Sequence, residues 1–282
     1  KHETDVALDY LRSRNGAYRA ADKPFSLFIS YNPPHMPFDQ IPGKYLEPYT
    51  DLSPEELLNR PNVRLEGIGA AAREHIKNYF AAITGIDEQF GRILETLRAE
   101  GLDEDTIVVF TSDHGDMMGS HGLMGKTAWY DESYLVPLII RWPGKIQPGQ
   151  DNFFLSPPDL TPTLLNLMGL GNDVAAGVEG SDLSAVLLGR DGERPDSALY
   201  LQVHPDWPQG GKRGLRTHHY TFIVIREKGQ TERFVLHDNE KDPYQLDNIA
   251  GENPVLIQQL TVELNQWLEK TNDPWLKSEQ LV

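Results

Sequence analysis

The sequence predicts an α/β protein with a mostly parallel sheet flanked by helices, followed by a small antiparallel sheet covered by a terminal helix. Three apolar runs have the length of strands that are buried on both faces, namely Phe25–Tyr31, Ile107–Phe110 and Val136–Arg141. After Pro195 the pattern changes, because short apolar runs follow one another with turn residues between them. We therefore expect two domains, residues 1–194 and residues 195–282, joined by the linker Asp191–Pro195.

The elements of the first part follow from their local patterns. Thr4–Arg14 mixes apolar and charged residues as a short amphipathic helix does. Glu66–Leu97 carries apolar residues at spacings of three and four and ends before Gly101, which predicts a long helix. This helix leads directly into the strand Ile107–Phe110, as expected of a helix-to-strand unit in a parallel sheet. A further helix is expected from Ser156, because prolines are tolerated in a first turn.

The second part reads as four strands and a helix. The predicted elements are Ala198–Val203, Gly214–Thr217, Tyr220–Arg226, Glu232–His237 and the terminal helix Pro254–Lys270. A loop rich in glycine, proline and charge, His204–Arg213, lies between the first two strands. Loops of this kind often shape a substrate pocket, so we consider His204, Trp207, Lys212 and His218 as specificity candidates.

Composition limits the classes of function. The 282 residues contain 42 acidic and 26 basic side chains, a net charge of −16 that argues against a nucleic-acid-binding protein. No apolar run approaches the roughly 20 residues of a membrane helix, so no membrane association is expected. The chain has no cysteine, which excludes a disulfide or a thiolate metal site. An anionic substrate would need a local positive site.

A carboxylate and an imidazole follow the strand Ile107–Phe110. Asp113 and His114 come just past its carboxyl end, where open α/β sheets hold their ligands, and Gly115 lets the backbone turn away from the strand. Oxygen and imidazole ligands together suit a divalent cation, although the pair alone does not choose between calcium, manganese and zinc. The sequence therefore predicts a metal site at this point.

Two further segments carry groups that can bind an anion. One follows Asp113 and His114 in the sequence, and the other comes at the end of another predicted strand. The glycine-rich loop from Gly119 to Gly125 can approach an anion closely and ends at Lys126, a point charge with three donors. His35 follows the predicted strand Phe25–Tyr31, and the prolines around it stiffen its loop. Both side chains are candidate catalytic and substrate-binding residues.

These motifs resemble the sulfatase family of the alkaline phosphatase superfamily. The resemblance is carried by Ser112-Asp113-His114-Gly115, Gly119-Ser120-His121-Gly122-Leu123, Lys126, Tyr130-Asp131-Glu132-Ser133 and Val136-Pro137-Leu138. Pro34-His35-Met36-Pro37-Phe38 and Leu236–Ala250 are also similar to family segments, with His237 and Asn239 as departures. The resemblance covers nearly the whole chain and maps onto the later part of a sulfatase. We therefore expect the α/β sheet to be incomplete at its start.

The resemblance implies a sulfuric ester hydrolase that acts on a small anionic sulfate ester. Asp113 and His114 would bind one divalent metal, calcium, with manganese or zinc as alternatives. Lys126 would neutralise the transferred group, and His35 would contact it and assist the leaving oxygen. A histidine after Asp113 also occurs in relatives that hydrolyse phosphonates or phosphodiesters, so a phosphonate monoester or phosphodiester hydrolase is the alternative enzyme.

Two family features are missing from the 282 residues. The sulfatase nucleophile, a formylglycine made from Cys/Ser-x-Pro-x-Arg, has no matching sequence, and no earlier strand ends in two aspartates. We therefore expect the chain to be a fragment of a larger enzyme that is inactive alone. A catalytically inactive binding or assembly homologue is the remaining alternative. Localisation, the natural substrate and a possible homo-oligomer stay open.

Overall fold

A computed structural model describes residues 1–13, 18–20 and 23–277. The chain divides into two compact units, each assembled from several stretches of sequence. The first comprises Lys1–Thr111, Asp116–Gly125 and Pro137–Lys145, and the second comprises Ser112–Gly115, Lys126–Val136 and Ile146–Val282. The domain boundary that we predicted after residue 194 stays a prediction.

The helices and strands follow one another in mixed α/β order. In the first unit they are α1 (His2–Arg12), α2 (Gly43–Leu46), α3 (Pro54–Leu57), α4 (Ala72–Ala99), β1 (Val108–Thr111) and β2 (Leu138–Arg141). In the second unit they are α5 (Asp131–Tyr134), α6 (Pro157–Leu167), α7 (Ser184–Leu187), β3 (Ser197–Val203), β4 (Gly211–Thr217), β5 (Tyr220–Arg226), β6 (Arg233–Asp238) and α8 (Pro254–Lys270). The α/β class predicted from sequence is confirmed.

The long helix of the first unit packs against the first helix. The long helix predicted for Glu66–Leu97 is present, but its α-helical part is Ala72–Ala99, and a 3₁₀ turn, Gly67–Ala71, precedes it. Leu8 and Leu11 of α1 form one buried cluster with Ile93 and Leu97 of α4. This apolar stripe is the reason that both helices are stable, because helical stability comes mainly from packing of an amphipathic face. Arg14, the predicted end of α1, lies outside the described residues.

The strand pair of the first unit differs from the predicted parallel arrangement. Val108 pairs with Arg141 and Thr111 with Leu138, so β1 and β2 are antiparallel. Parallel neighbours need a crossover connection, usually a helix, but the segment between β1 and β2 contains only the one-turn helix α5. The chain can therefore use this connection for a functional loop.

The apolar run Phe25–Tyr31 was wrongly predicted as a buried strand. It is extended without strand pairing in the described part of the chain, and Phe28 is 92% exposed. A strand needs a neighbour to accept its backbone hydrogen bonds, and an apolar run does not specify that neighbour. Phe25 and Ile29 instead pack against the cluster between α1 and α4.

The second unit contains the predicted small antiparallel sheet, with strand order β3-β4-β5-β6. The terminal helix α8 has the predicted limits Pro254–Lys270. One face of the sheet packs on α8 through buried residues of both, listed here in chain order as Leu215, Phe222, Val224, Leu236, Ile257, Leu260, Leu264 and Leu268. A sheet covered by a helix on one face is thus confirmed, and the alternation along each strand leaves the other face available.

The face opposite α8 consists of three rows of side chains that run across the strands. From one end of the strands to the other, the rows are Ala198-Arg216-Thr221-His237, Tyr200-Gly214-Ile223-Val235 and Gln202-Lys212-Ile225-Arg233. Directly paired residues share a face, so each row is a line of neighbours. The first row is mainly polar, the second is mainly apolar and the third carries two cations.

Among the described helices, none combines the length and the apolar character that a membrane-spanning segment needs.

Candidate active site

Asp113 and His114 lie in a loop that is tied to the segment before β2. The backbone N–H of Gly115 donates to the carbonyl oxygen of Ser133 at 2.9 Å. A Cβ atom at position 115 would lie 1.9 Å from the carbonyl oxygen of Glu132, so only glycine fits this close approach of two backbones. Gly115 therefore fixes the direction in which the Asp113–His114 loop leaves the strand.

The tautomer of His114 follows from its hydrogen bonds. Its Nδ1 lies 2.8 Å from the carbonyl oxygen of Gly115, which can only accept, so Nδ1 carries the proton. Its Nε2 then presents a lone pair, and the Nζ of Lys126 donates to it at 2.8 Å. The imidazole is thereby oriented by the backbone on one side and offers an electron pair to a positive charge on the other.

Asp113 completes a small polar cluster with these two side chains. One of its carboxylate oxygens lies 3.3 Å from Nε2 of His114, and the other accepts from the backbone N–H of His114 at 3.0 Å. Burial acts to raise the pKa of Asp113, but the neighbouring His114 and backbone donors outweigh it, so the pKa is lower than usual. Asp113 is therefore an anion at neutral pH, and its side chain is 83% exposed and accessible.

These atoms fit part of the coordination shell of a divalent metal. A carboxylate oxygen of Asp113 lies 3.3 Å from the oriented Nε2 of His114, and both groups are ordinary metal ligands. Among the residues that the structure describes, no group of three His, Cys, Asp or Glu side chains is placed to hold an ion. The two residues therefore supply two ligands, and their role as metal ligands stays a prediction.

His35 belongs to the first unit, whereas Asp113, His114 and Lys126 belong to the second. Its side chain is exposed, and its Nδ1 lies 2.9 Å from the carbonyl oxygen of Met36, so Nδ1 carries a proton. The Nε2 atom of His35 is thus the one that can exchange a proton with a ligand. Its predicted role at the anion stays a prediction.

The glycine-rich loop of the first unit is organised by a carboxylate that sequence reasoning missed. Asp116 accepts from the backbone N–H groups of Met118 and Gly125 at 3.0 and 3.1 Å, and Met117 N–H donates to the carbonyl oxygen of Gly125. Gly119 and Gly125 have positive φ, which glycine adopts without strain. An aspartate at the start of a glycine-rich turn was the available signal, because such side chains commonly bind nearby backbone N–H groups.

The segment that carries Lys126 is fastened to the first row of the small sheet. Arg216 forms two hydrogen bonds with the carboxylate of Asp131, at 3.1 and 3.0 Å. The buried Gln245 accepts from the backbone N–H of Asp131 at 3.1 Å and donates to Thr221 at 2.8 Å. Bidentate and buried contacts of this kind hold a loop in one position. Arg216 and Gln245 were not identifiable from sequence, because nothing local marks their distant partner.

An aromatic part of the same segment packs on the apolar row. Trp129 contacts the cluster of Tyr200 and Ile223, and the Tyr134 hydroxyl donates to the carbonyl oxygen of Leu199. Burial raises the pKa of Tyr200 to about 12, so its hydroxyl is neutral at ordinary pH. The sheet face is therefore a platform for the segment 126–134.

The four specificity candidates of the second unit have different surroundings. The His204 ring lies 6.5 Å from that of Trp207, and the His218 ring lies 4.8 Å from that of Phe154. Lys212 extends over the ring of Trp129, with its Nζ 4.9 Å from the ring centre. Among the described residues, Lys212 is thus the one of the four that contacts the segment carrying Lys126, and the specificity roles stay predictions.

An α/β chain that brings a carboxylate, an imidazole and a lysine ammonium together beyond a strand has the features of a hydrolase of anionic esters. Family comparison agrees with this class. A family model described as Sulfatase matches residues 3–170, and one described as N-sulphoglucosamine sulphohydrolase, C-terminal, matches residues 119–273. The chain belongs to the sulfatase family, within the alkaline phosphatase superfamily.

Individual relatives support the same assignment. The chain is 37% identical to an endo-4-O-sulfatase of Bacteroides thetaiotaomicron, over 97% of this chain and 57% of that relative. A crystal structure of a putative sulfatase from Bacteroides fragilis is similar with a TM-score of 0.89 and 38% identity, over 98% of this chain and 59% of that one. The chain therefore spans less than two thirds of the length of these relatives.

Two further solved structures are more distant. One, in complex with its substrate D-glucosamine-2-N,6-O-disulfate, has a TM-score of 0.64 and 28% identity, over 73% of this chain and 43% of that one. The other, a phosphonate monoester hydrolase of Agrobacterium radiobacter, has a TM-score of 0.59 and 27% identity, over 75% of this chain and 44% of that one.

Proposed function

We propose that the protein containing this chain hydrolyses sulfate esters and that Asp113, His114, Lys126 and His35 contribute to its active site. The observation that carries the proposal is the cluster in the second unit, where His114 Nε2 lies 2.8 Å from Lys126 Nζ and 3.3 Å from a carboxylate oxygen of Asp113. Membership of the sulfatase family and the similarity to an endo-4-O-sulfatase support it.

A divalent metal is part of the proposal, with calcium as the first choice and manganese or zinc as alternatives. Asp113 and His114 would hold it together with groups from elsewhere in the protein, and it would act as a Lewis acid toward the bound ester. The Nδ1 hydrogen bond of His114 to the Gly115 carbonyl keeps the lone pair of Nε2 directed to that position.

The side chains of the chain would bind the ester and manage its charge. Lys126 now donates to His114, and it would donate instead to an oxygen of the transferred sulfate group, whose negative charge it would offset. His35 holds one proton on Nδ1, so a second proton on Nε2 would be the one delivered to the leaving oxygen. The nucleophile of the family has no counterpart in the 282 residues, so the proposal concerns the whole protein.

A test of this function uses the full-length protein and an aryl sulfate. We expect sulfate release that chelator treatment abolishes and added calcium restores. Lys126→Met should lower kcat by roughly 100-fold or more, as expected when a positioned charge at the transition state is lost. Lys145→Met is the control, because Lys145 is an exposed lysine outside this cluster. Equal activity of the two variants would contradict the proposed role of Lys126.

The alternative enzyme is a phosphonate monoester hydrolase, which the similarity to the structure from Agrobacterium radiobacter favours. The comparison to make is kcat/KM for an aryl sulfate and an aryl phosphonate under identical metal conditions. A preference for the phosphonate would replace the sulfatase proposal. If the metal-loaded full-length protein released product from neither, an inactive binding or assembly homologue would be the remaining explanation.

A further inference from the structure

The third row of the sheet face is the part of the platform without an assigned role. Gln202, Lys212, Ile225 and Arg233 occupy this row on four successive strands. Arg233 is paired with Glu227 at 3.1 Å, so that cation has its own counter-ion. Lys212 is half-buried, and no ion pair of its ammonium group is found in the described part of the chain.

The surroundings of Lys212 favour an added negative charge. Its Nζ lies over the ring of Trp129 at 4.9 Å, a contact that is favourable to a cation but supplies no hydrogen-bond acceptor along the N–H directions. Burial lowers the pKa of Lys212, and Arg233 acts in the same direction while Glu227 opposes it. A half-buried ammonium without a direct ion pair in the described residues is stabilised by an anion that reaches it.

A second donor stands beside Lys212. Gln202 is its direct partner across strands β3 and β4, so the two side chains share one face with their Cβ atoms about 5 Å apart. The Oε1 atom of Gln202 accepts from the hydroxyl of Tyr200 at 3.3 Å, which directs the amide nitrogen away from that hydroxyl. An ammonium and an amide N–H₂ side by side are suited to a sulfate or carboxylate group.

The location of this pair connects it to the candidate active site. Within the segment that carries Lys126, Asp131 binds Arg216 of the first row, and Trp129, two residues earlier, lies beside Lys212 of the third row. Lys126 is three residues further back, and three peptide units span at most about 11 Å between Cα atoms. Lys212 therefore contacts the segment that carries Lys126, at a residue three positions from it.

We propose that Lys212 and Gln202 form a subsite for a second anionic group of a saccharide substrate, either a sulfate or a carboxylate. The inference rests on the proposed function, because it places the scissile sulfate at Lys126. The relative whose substrate is D-glucosamine-2-N,6-O-disulfate acts on a sugar that carries two sulfates, which supports this class of ligand. A chain with a net charge of −16 needs such a local positive site to bind a polyanionic sugar.

The test compares three sugars with the full-length protein. N-acetylgalactosamine 4-sulfate has one anion, its 4,6-disulfate adds a sulfate, and the chondroitin 4-sulfate disaccharide adds a carboxylate. We expect Lys212→Met to raise KM roughly 10- to 100-fold for at least one dianionic sugar, as for a lost charged hydrogen bond. KM for the monosulfate and all kcat values should change less than about twofold. The sugar that is affected identifies the source of the second anion.

Two controls separate the subsite from a loss of structure. Lys212→Arg keeps the charge and should retain most of the selectivity, and Lys228→Met removes an exposed lysine from the turn between β5 and β6. An equal rise of KM for all three sugars, or no change for any of them, would overturn the subsite. If the wild-type protein releases no sulfate, the proposed function fails, and calorimetric binding of the same sugars to both proteins then decides whether Lys212 selects dianions.

Discussion

The buried ion pair between Arg213 and Asp273 gives a quantitative test of how the platform is held together. The two side chains are 0% and 5% exposed, and two parallel hydrogen bonds of 3.0 Å join them. Arg213 also donates to the carbonyl oxygens of Pro208 and Gly210 in the loop before β4. The guanidinium thus connects the segment after α8 to the loop that leads to Lys212.

Asp273→Asn removes the charge at nearly constant volume and leaves the guanidinium buried without its counter-ion. Breaking a buried pair from one side costs about 3 to 5 kcal/mol. At about 2 to 4 °C per kcal/mol for a chain of this size, the midpoint of thermal unfolding should fall by roughly 6 to 20 °C. Thermal unfolding followed by circular dichroism measures the change.

The matched control is Asp151→Asn, which breaks the pair with Arg194. Their side chains are 40% and 54% exposed, and exposed pairs contribute about 0 to 1 kcal/mol. The control should therefore shift the midpoint by less than about 4 °C. If both variants unfolded at the same temperature, the buried pair would not stabilise the second unit as we argue.

Two other predictions concern the candidate site loop and the small sheet. Gly115→Ala should lower both activity and stability, because the added Cβ would lie 1.9 Å from the Glu132 carbonyl oxygen. Gly251→Ala is the control and should be neutral, because a Cβ at that position has nothing within 4 Å. Kinetics and thermal unfolding of both variants check this prediction, and equal behaviour of the two would contradict it. Burial lowers the pKa of His237, so as pH falls below about 6.5 the unfolded chain binds a proton that the folded chain does not, and stability decreases. His237→Gln should make the free energy of unfolding depend less steeply on pH between about 7 and 5, measured by urea denaturation, and an unchanged slope would exclude His237 as the titrating group.

The local part of the candidate site was accessible from sequence. Asp113, His114 and Lys126 lie within 14 positions of one another, and a glycine-rich loop between them can only make a short excursion. Their proximity is therefore largely a property of the chain itself. The four strands before α8 were likewise predictable, because alternation and turn residues act over a few positions.

Contacts over long sequence distances were not accessible in this way. Arg216 lies 85 positions after Asp131, and Gln245 lies 114 positions after it, so no local pattern marks them as partners. The same reason explains the antiparallel pairing of β1 with β2. An apolar run indicates that a segment is buried against something, but it does not encode which neighbour or direction is chosen.

By itself, then, the sequence determined the order of the elements, the family motifs and the carboxylate, imidazole and ammonium groups near one loop. Tertiary structure alone decided that the loop carrying Lys126 rests on the small sheet, with Arg216 and Gln245 at one end and Lys212 at the other. The physical reason is that side-chain periodicity assigns residues to a face, whereas the folded packing decides what covers that face.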